Sequence, residues 1–392
     1  MKGRVIAIDT RAADGIRAAL MVDGQLEDFV LLPSANANDP TPGEIRAARV
    51  TRILPNGRGA FCDLGPAGEG FLRQPGTAKG GELIAAQVAS LPEPGKAVPL
   101  NTRLLFKGPR LILTPEAPGV NVSRRIGNEA ERERLTAIVT EALQRAEADP
   151  APGVIIRSAA KAVEDEALER ELVRLLAEAR NVPKHLASGA EPGRLLEQAP
   201  LARILAEWLL PFPDEILCDP DSAEAYKTVH REPGSALGGS AVNFWGDPRP
   251  ATRVRSVARP LEVSGADEAL RALASPEASL PGGASMIVEA TRALVCVDVN
   301  TGADFSPAAG LKANLAAARD LPRQLRLRGL GGQVVVDFAP MPKKDRRTLE
   351  EALKKAFRAD PVDTALIGWT TMGLFEMQRK RERRPLPPGW TT

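Results

Sequence analysis

Histidine, cysteine and aromatic residues are scarce in this chain of 392 residues. Its two histidines, His185 and His230, argue against a metal centre built on imidazole and against a Ser-His catalytic triad. Its three cysteines, Cys62, Cys218 and Cys296, lie far apart and form no CxxC motif, which argues against a zinc ribbon or a disulfide framework. The chemistry of the chain must therefore come mainly from carboxylates, asparagine, lysine and arginine.

Long apolar runs and a strong net charge are also missing. No apolar run approaches the roughly 18 residues that span a bilayer, so we expect no transmembrane helix and no membrane contact. The opening sequence places Asp9 and Asp14 where a signal peptide needs apolar residues, so we do not expect secretion. Scattered cysteines are typical of a reducing compartment, and we expect a cytoplasmic protein. The net charge is +2, so any contact with nucleic acid would depend on local basic surface.

Apolar periodicity predicts a mixed α/β chain with several subdomains. Short alternating segments separated by glycine turns over about 70 residues after residue 43 suggest a small β-barrel, and a hairpin turn is predicted at Asp23 and Gly24. Residues 128–148 and about 162–190 have helical patterns. The last third alternates strands (LVCVDVN and GGQVVVDFAP) with helices (LKANLAAARDLPRQLRLRGL and DRRTLEEALKKAFRAD).

Two aspartates at strand ends form the strongest candidate site. Asp298 ends one apolar strand, Asn300 follows two residues later on the same face, and Asp337 ends a second apolar strand. If the strands are neighbours, two carboxylates and one amide meet at one sheet edge. Magnesium prefers such oxygen ligands and can activate water for phosphoryl chemistry. The alternative is that these acids only cap or initiate loops.

Two further features suggest a nucleic-acid partner. Phe61 and Phe71 lie on successive strands of the predicted barrel, where aromatic rings can stack on bases, although both could equally be core residues. Residues 341–384 carry an excess of Lys and Arg, and Arg157 with Ser158 could hold a phosphate oxygen. Three more arginines precede the Asp337 strand, namely Arg323, Arg326 and Arg328. The alternative for these charges is a solvated helix face.

A series of motifs in fixed order resembles the ribonuclease E/G family of bacterial endoribonucleases. The segments are GEIRAARVTRILPNGRGAFCDLG, VSRRI, GVIIRSA, TRALVCVDVNTG, NLAAARDLPRQLRLRGLGGQVVVDF and MGLFEM. They span nearly the whole chain and match the catalytic half of that family. The combination of DVNTG with RQLRLRGLGG and a following Asp-Phe is highly specific.

The resemblance implies a particular subdomain order. A ribonuclease-H-like subdomain would be built from two separate segments, with an OB-type RNA-binding barrel and a 5′-sensor subdomain between them. A DNase-I-like α/β catalytic subdomain would follow. The expected ranges are 1–42 and 197–275 for the ribonuclease-H-like part, 43–115 for the barrel, 116–196 for the sensor, 276–384 for the catalytic part and 385–392 for a tail.

The resemblance also implies a function: a magnesium-dependent endoribonuclease that acts in RNA processing or decay. It would cut single-stranded RNA to 5′-phosphate and 3′-hydroxyl ends. Asp298 and Asp337 would hold magnesium, with manganese as the alternative ion, and Asn300 would orient the attacking water or the scissile phosphate. The competing hypothesis is an RNA-binding regulatory relative with little or no cleavage activity.

Further residues acquire roles through the same resemblance. Contacts to RNA on the barrel are implied for Phe61, Phe71 and Lys96. A pocket for a 5′-monophosphate is implied for the backbone of Gly108 and Ile112 and for the side chains of Arg157 and Ser158. The family usually has threonine at the position of Ser158, and serine keeps the hydroxyl.

The chain also departs from the family pattern. It has no Cys-Pro-x-Cys motif, so we expect no zinc and no zinc-linked dimer, and it has no long scaffold tail, so degradosome assembly is not expected. The loop TGADFSPAAG after Asp298 is short and lacks the usual acidic pair. Pro322 predicts a kink near Leu321 in a helix that is normally continuous, and Pro340 replaces an acid.

Overall fold

The protein forms two compact units in a computed structural model. The first unit comprises Met1–Leu32, Asp214–Pro220 and Arg253–Thr392, and the second comprises Pro33–Pro213 and Asp221–Thr252. The structure describes residues 3–12, 15–32, 39–93, 95–147, 151–161, 163–189, 191–196, 204–205, 207–209, 211, 213–221 and 253–386. His230, much of the expected segment 197–275 and most of the expected tail 385–392 lie outside these residues. Among the described helices, none combines the length and apolar character needed to cross a bilayer.

A five-stranded mixed sheet opens the first unit. Its strands lie in the order Arg253–Ser256, Glu215–Cys218, Arg4–Asp9, Ile16–Val22 and Gln25–Leu32. The predicted hairpin turn is confirmed, because Asp23 and Gly24 both have positive φ (50° and 80°) between two antiparallel strands. The short helices Pro260–Ser264 and Ala266–Ala272 supply Leu261 and Leu270 to the core of this sheet.

A six-stranded sheet holds the second core of this unit. Its strands lie in the order Glu277–Ser279, Ser285–Ala290, Val295–Asn300, Gly332–Asp337, Phe375–Arg379 and Thr364–Trp369. The helices Ala309–Leu327 and Arg346–Ala359 pack on one face of the sheet, where alternate valines of the two central strands are buried. Strict alternation of buried and exposed residues therefore leaves the polar side chains of these strands on the opposite face.

A closed five-stranded barrel forms part of the second unit and confirms the predicted barrel. Around the barrel the strands are Ile45–Ile53, Ala60–Asp63, Glu69–Leu72, Val98–Asn101 and Leu83–Val88. Pairing of Leu83–Val88 with Ile45–Ile53 closes it. The interior is small and apolar, with Cys62, Leu64 and Leu72 fully buried.

A four-stranded sheet with two long helices completes the second unit. The strands lie in the order Gly119–Val122, Gly153–Ile156, Leu111–Thr114 and Phe106–Lys107. The helices Glu129–Arg145 and Asp165–Ala187 pack on it through leucines and valines, and both match the sequence prediction.

Three details of strand placement differ from the sequence-based expectation. Phe106–Lys107 and Leu111–Thr114 pair in the four-stranded sheet although they fall in the range expected for the barrel, and Gly193–Leu196 pairs with a barrel strand from outside that range. Apolar alternation identifies a strand but does not specify its partners, which explains the difference. The strands Thr364–Trp369 and Phe375–Arg379 were not predicted. The helix Ala309–Leu327 includes buried Pro322, and the kink expected near Leu321 stays a prediction.

Candidate active site

Asp298 and Asp337 lie directly beside each other on the six-stranded sheet. They are register partners on parallel neighbouring strands, whose backbones are about 4.8 Å apart. Both side chains are exposed, whereas the valines that precede them, Val297 and Val336, are buried in the core. The two carboxylates therefore meet, as predicted, toward the carboxyl ends of two neighbouring strands.

Asn300 extends this pair into a three-residue polar cluster. Its Nδ2 donates a hydrogen bond of 2.9 Å to Oδ2 of Asp298, two residues earlier on the same exposed face. The chain then turns at Gly302, which has a φ of 63°. A Cβ at Gly302 would lie 2.1 Å from the carbonyl oxygen of Gly283, so glycine is required where the loop after Asn300 approaches the neighbouring turn.

The segment after Asp337 is held by a buried asparagine that was not predicted from the sequence. Asn314, from the helix Ala309–Leu327, donates to the carbonyl oxygen of Ala339 and accepts from its N–H, both at 2.9 Å. One turn earlier, a Cβ at Gly310 would lie 2.1 Å from the carbonyl oxygen of Pro340. The only available sequence signal was a polar residue within the apolar stripe of this helix. These contacts fix the backbone that follows Asp337.

The chemistry of this donor set fits a hard divalent cation. Among the described residues, no group of three or more His, Cys, Asp or Glu side chains lies close enough to hold a metal ion. The site therefore offers two carboxylates and open solvent. Magnesium is commonly bound in this way, through one or two carboxylates with several retained waters.

Three arginines expected to supply basic surface are instead engaged within the first unit. Arg323 pairs with Asp320 and donates to a backbone carbonyl, Arg328 donates to two backbone carbonyls, and Arg326 lies in a buried ion network. The interpretation of these residues as a phosphodiester-binding surface is thus wrong. Their helix lies between two sheets of the unit, where a charged side chain requires a partner. Lys343 and Lys344, in the short turn after Asp337, remain exposed.

An aromatic pair lies on the outer surface of the barrel. Phe61 and Phe71 are cross-strand partners with ring centroids 5.1 Å apart, and both are half-buried rather than part of the barrel core. The Arg52 guanidinium lies 4.4 Å from the centroid of the Phe61 ring. Arg52 is the register partner of Phe61 on one neighbouring strand, and Phe71 is its partner on the other. Arg52 was not predicted. It lies two residues after buried Val50, and regular alternation would put both on one face, but the register shift between them leaves Arg52 exposed.

Lys96 lies in the loop that leads into a barrel strand next to this pair. In that strand, Val98–Asn101, Pro99 is the register partner of Phe71. The Lys96 ammonium pairs with the carboxylate of Glu93, and the side chain is 70% exposed. Because such an exposed pair contributes little to stability, the ammonium can exchange this partner for another anion at small cost.

The four residues expected to bind a 5′-phosphate gather at one end of the four-stranded sheet. Ile112 and Gly108 belong to the hairpin beside the strand that ends before Arg157, and Ser158 follows Arg157 at the start of a short 3-10 turn. The N–H of Gly108 already donates to the carbonyl oxygen of Leu111 at 2.8 Å. A Cβ at Gly108 would lie 2.2 Å from a carboxylate oxygen of buried Glu171, which explains the glycine.

The guanidinium of Arg157 is engaged rather than open, contrary to expectation. Its Nη1 donates to the carbonyl oxygens of Gly108 (3.1 Å) and Pro109 (2.7 Å), and its Nη2 pairs with the carboxylate of Glu207. Burial lowers the pKa of Arg157, and the charges of Glu207 and Glu171 oppose that effect. Glu207 lies 50 residues further along the chain, and no local pattern linked it to Arg157.

Known ribonucleases are similar to this chain over most of its length. Residues 106–382 match the model of the Ribonuclease E/G family. The chain is 29% identical to a ribonuclease E of Nostoc sp., covering 93% of this chain and 54% of that protein. It is also 29% identical to the ribonuclease G of Salmonella typhimurium and of Escherichia coli K12, covering 87% and 88% of this chain and 73% of each relative. The chain thus spans about half of the Nostoc protein and about three quarters of the other two.

Proposed function

Because this chain belongs to the ribonuclease E/G family of endoribonucleases, we propose that it hydrolyses single-stranded RNA at a magnesium site formed by Asp298 and Asp337. The observation that carries the proposal is their pairing in register on adjacent parallel strands, with Asn300 bonded to Asp298. Manganese is the alternative ion. The biological role would be RNA processing or decay.

The subdomain assignment is part of the same proposal. The five-stranded mixed sheet would be the ribonuclease-H-like part, and the closed barrel would be the OB-type RNA-binding part. The four-stranded sheet with its two long helices would be the 5′-sensor, and the six-stranded sheet that carries Asp298 would be the DNase-I-like catalytic part.

The proposed reaction needs an activated water and stabilisation of negative charge on phosphate. When bound, magnesium would supply both. Asp298 and Asp337 would hold the ion. The hydrogen bond from Asn300 fixes the Asp298 carboxylate, and the amide oxygen of Asn300 would orient water or phosphate. Water adds to phosphorus and the 3′ oxygen leaves with a proton. The upstream fragment then ends in a 3′-hydroxyl and the downstream fragment in a 5′-phosphate.

The barrel surface supplies the proposed contacts to RNA. Half-buried Phe61 and Phe71 present ring surface for stacking on bases, and Arg52 adds a positive charge above one ring. Lys96 supplies a charge for the phosphate backbone. The 5′ end of the substrate is proposed to bind at Arg157, Ser158 and the Gly108–Ile112 hairpin.

We expect Phe61→Ala and Phe71→Ala each to weaken binding of a single-stranded oligonucleotide by about 1–3 kcal/mol, the usual contribution of one stacked base. Fluorescence anisotropy measures the affinity, and thermal melting monitors the fold. Val173→Ala truncates an exposed apolar side chain on a helix of the same unit and is the matched control. A lower melting temperature with unchanged affinity would instead identify the rings as structural.

The test of the proposed function is cleavage of a 5′-labelled single-stranded RNA with magnesium or with excess chelator. We expect cleavage with magnesium and none with chelator, and we expect products that a kinase-free ligation assay identifies as 5′-phosphate and 3′-hydroxyl ends. Tight binding without cleavage at any magnesium or manganese concentration would favour the RNA-binding regulatory alternative. Products ending in a 2′,3′-cyclic phosphate would refute hydrolysis by added water.

A further inference from the structure

We propose that Glu207 is a specificity-determining residue that occupies, on Arg157, the place of a substrate 5′-phosphate. Its carboxylate pairs with Nη2 of Arg157. A terminal phosphate must displace it, so Glu207 weakens the discrimination between RNA with a 5′-monophosphate and RNA with a 5′-hydroxyl. The inference rests on the proposed binding of RNA 5′ ends at Arg157.

Of the three groups bonded to this guanidinium, Glu207 is the one that can be exchanged. The other two acceptors are the backbone carbonyls of Gly108 and Pro109, in the turn that joins two strands of the sheet. Those carbonyls cannot leave without breaking the hairpin. The Glu207 side chain is 25% exposed, compared with 13% for Arg157, so Glu207 is the more solvent-accessible partner of the pair.

A carboxylate and a phosphate can each pair with the guanidinium of Arg157. Both accept charge-assisted hydrogen bonds from the planar guanidinium, and both neutralise it. A phosphate monoester carries more negative charge and a third acceptor oxygen. A 5′-hydroxyl offers neither, so it leaves the Arg157–Glu207 pair in place.

Buried residues on either side of Glu207 hold its carboxylate at a defined position. Leu205 and Trp208, on either side of it, are both buried. Glu207 is therefore held close to Arg157 at a high local concentration. If the paired state holds about 90–99% of molecules, the apparent affinity for a 5′-phosphate falls about 10- to 100-fold, because only the unpaired fraction can bind.

The decisive measurement is the ratio of affinities for two short single-stranded RNAs that differ only in a 5′-monophosphate or a 5′-hydroxyl. Fluorescence anisotropy in the presence of chelator gives this ratio without cleavage. We expect Glu207→Gln to raise the ratio in favour of the monophosphate by about tenfold or more over the unsubstituted protein. Glu207→Asp, which keeps the charge on a shorter side chain, should give an intermediate ratio.

Two further variants separate this competition from general charge effects. Glu169→Gln removes the same charge from an exposed pair with Arg145 in the same unit, and we expect it to leave the ratio unchanged. Adding Arg157→Gln to Glu207→Gln should remove the gain. Thermal melting verifies that each variant is folded, and Glu207→Asp replaces Glu207→Gln in the comparison if the latter does not fold.

A ratio in the Glu207 variants equal to that of the unsubstituted protein would overturn the proposal, and so would a gain that persists without Arg157. Cleavage assays with magnesium distinguish this failure from failure of the proposed function. A shifted binding ratio without cleavage retains the role of Glu207 and rejects the nuclease. Normal cleavage with an unshifted ratio retains the nuclease and rejects the role of Glu207.

Discussion

Replacing Asp298 with asparagine is expected to reduce RNA cleavage by at least about a thousandfold. The substitution removes one of two carboxylates proposed to hold magnesium, and metal-ion catalysis typically supplies several kcal/mol of transition-state stabilisation. Each 1.36 kcal/mol changes the rate tenfold. Single-turnover rates on a labelled oligonucleotide provide the measurement. Asp337→Asn should have a similar effect, because the two residues are register partners.

Binding and a nearby acid provide the controls for this loss. Affinity for single-stranded RNA should change little in either variant, because the proposed stacking contacts lie on the barrel. Asp304 belongs to the loop after Asn300, where the Ser306 N–H lowers the pKa of its carboxyl and Lys312 pairs with it. Asp304→Asn should retain most activity. Loss of affinity in parallel with activity in the Asp298 variant would contradict this separation of roles.

Asp360→Asn is expected to destabilise the protein by about 3–5 kcal/mol, the typical cost of leaving a buried charge without its partner. Asp360 is fully buried and pairs with both Arg326 and Arg379. Burial by itself lowers the pKa of Arg326, but attraction by Asp28, Asp360 and Glu27 outweighs it and raises the pKa. Asparagine preserves the shape of the side chain but leaves two buried guanidinium groups undercompensated.

The expected thermal shift is large enough for a simple measurement. At about 2–4 °C per kcal/mol for a unit of this size, the melting temperature should fall by about 10 °C. Glu351→Gln removes a carboxylate from an exposed helical pair with Arg347 and should shift it by less than about 2 °C. Equal shifts in the two variants would show that the buried network contributes no more than a surface pair.

The carboxylate site could be predicted from the sequence because its determinants are local. Alternation places Asp298 and Asn300 on one face, and the apolar run before Asp337 marks a second strand. Their pairing required only that consecutive parallel strands be neighbours, which is the common arrangement. The barrel and both long helices were predictable for the same reason, since each has its own periodicity.

Features that depend on distant pairs were not predictable. Glu207 and Arg157 meet only through the tertiary fold, and the amide of Asn314 finds its partners 25 residues away at Ala339. The burial of Arg326 was not predicted, because a charged residue in a helix is expected to be exposed unless its partners, such as Asp28, are known. Sequence patterns report the environment of a segment, whereas these contacts depend on which segments meet.

The interrupted first unit has a consequence for synthesis on the ribosome. The strand Arg4–Asp9 pairs with Glu215–Cys218, which emerges more than 200 residues later. At about 5–20 residues synthesised per second, one edge of the strand Arg4–Asp9 stays unpaired for about 10–40 s, during which all of Pro33–Pro213 is made. An open strand edge is a template for pairing with another chain. Nascent chains stalled before residue 215 should therefore be the species that most requires chaperone protection.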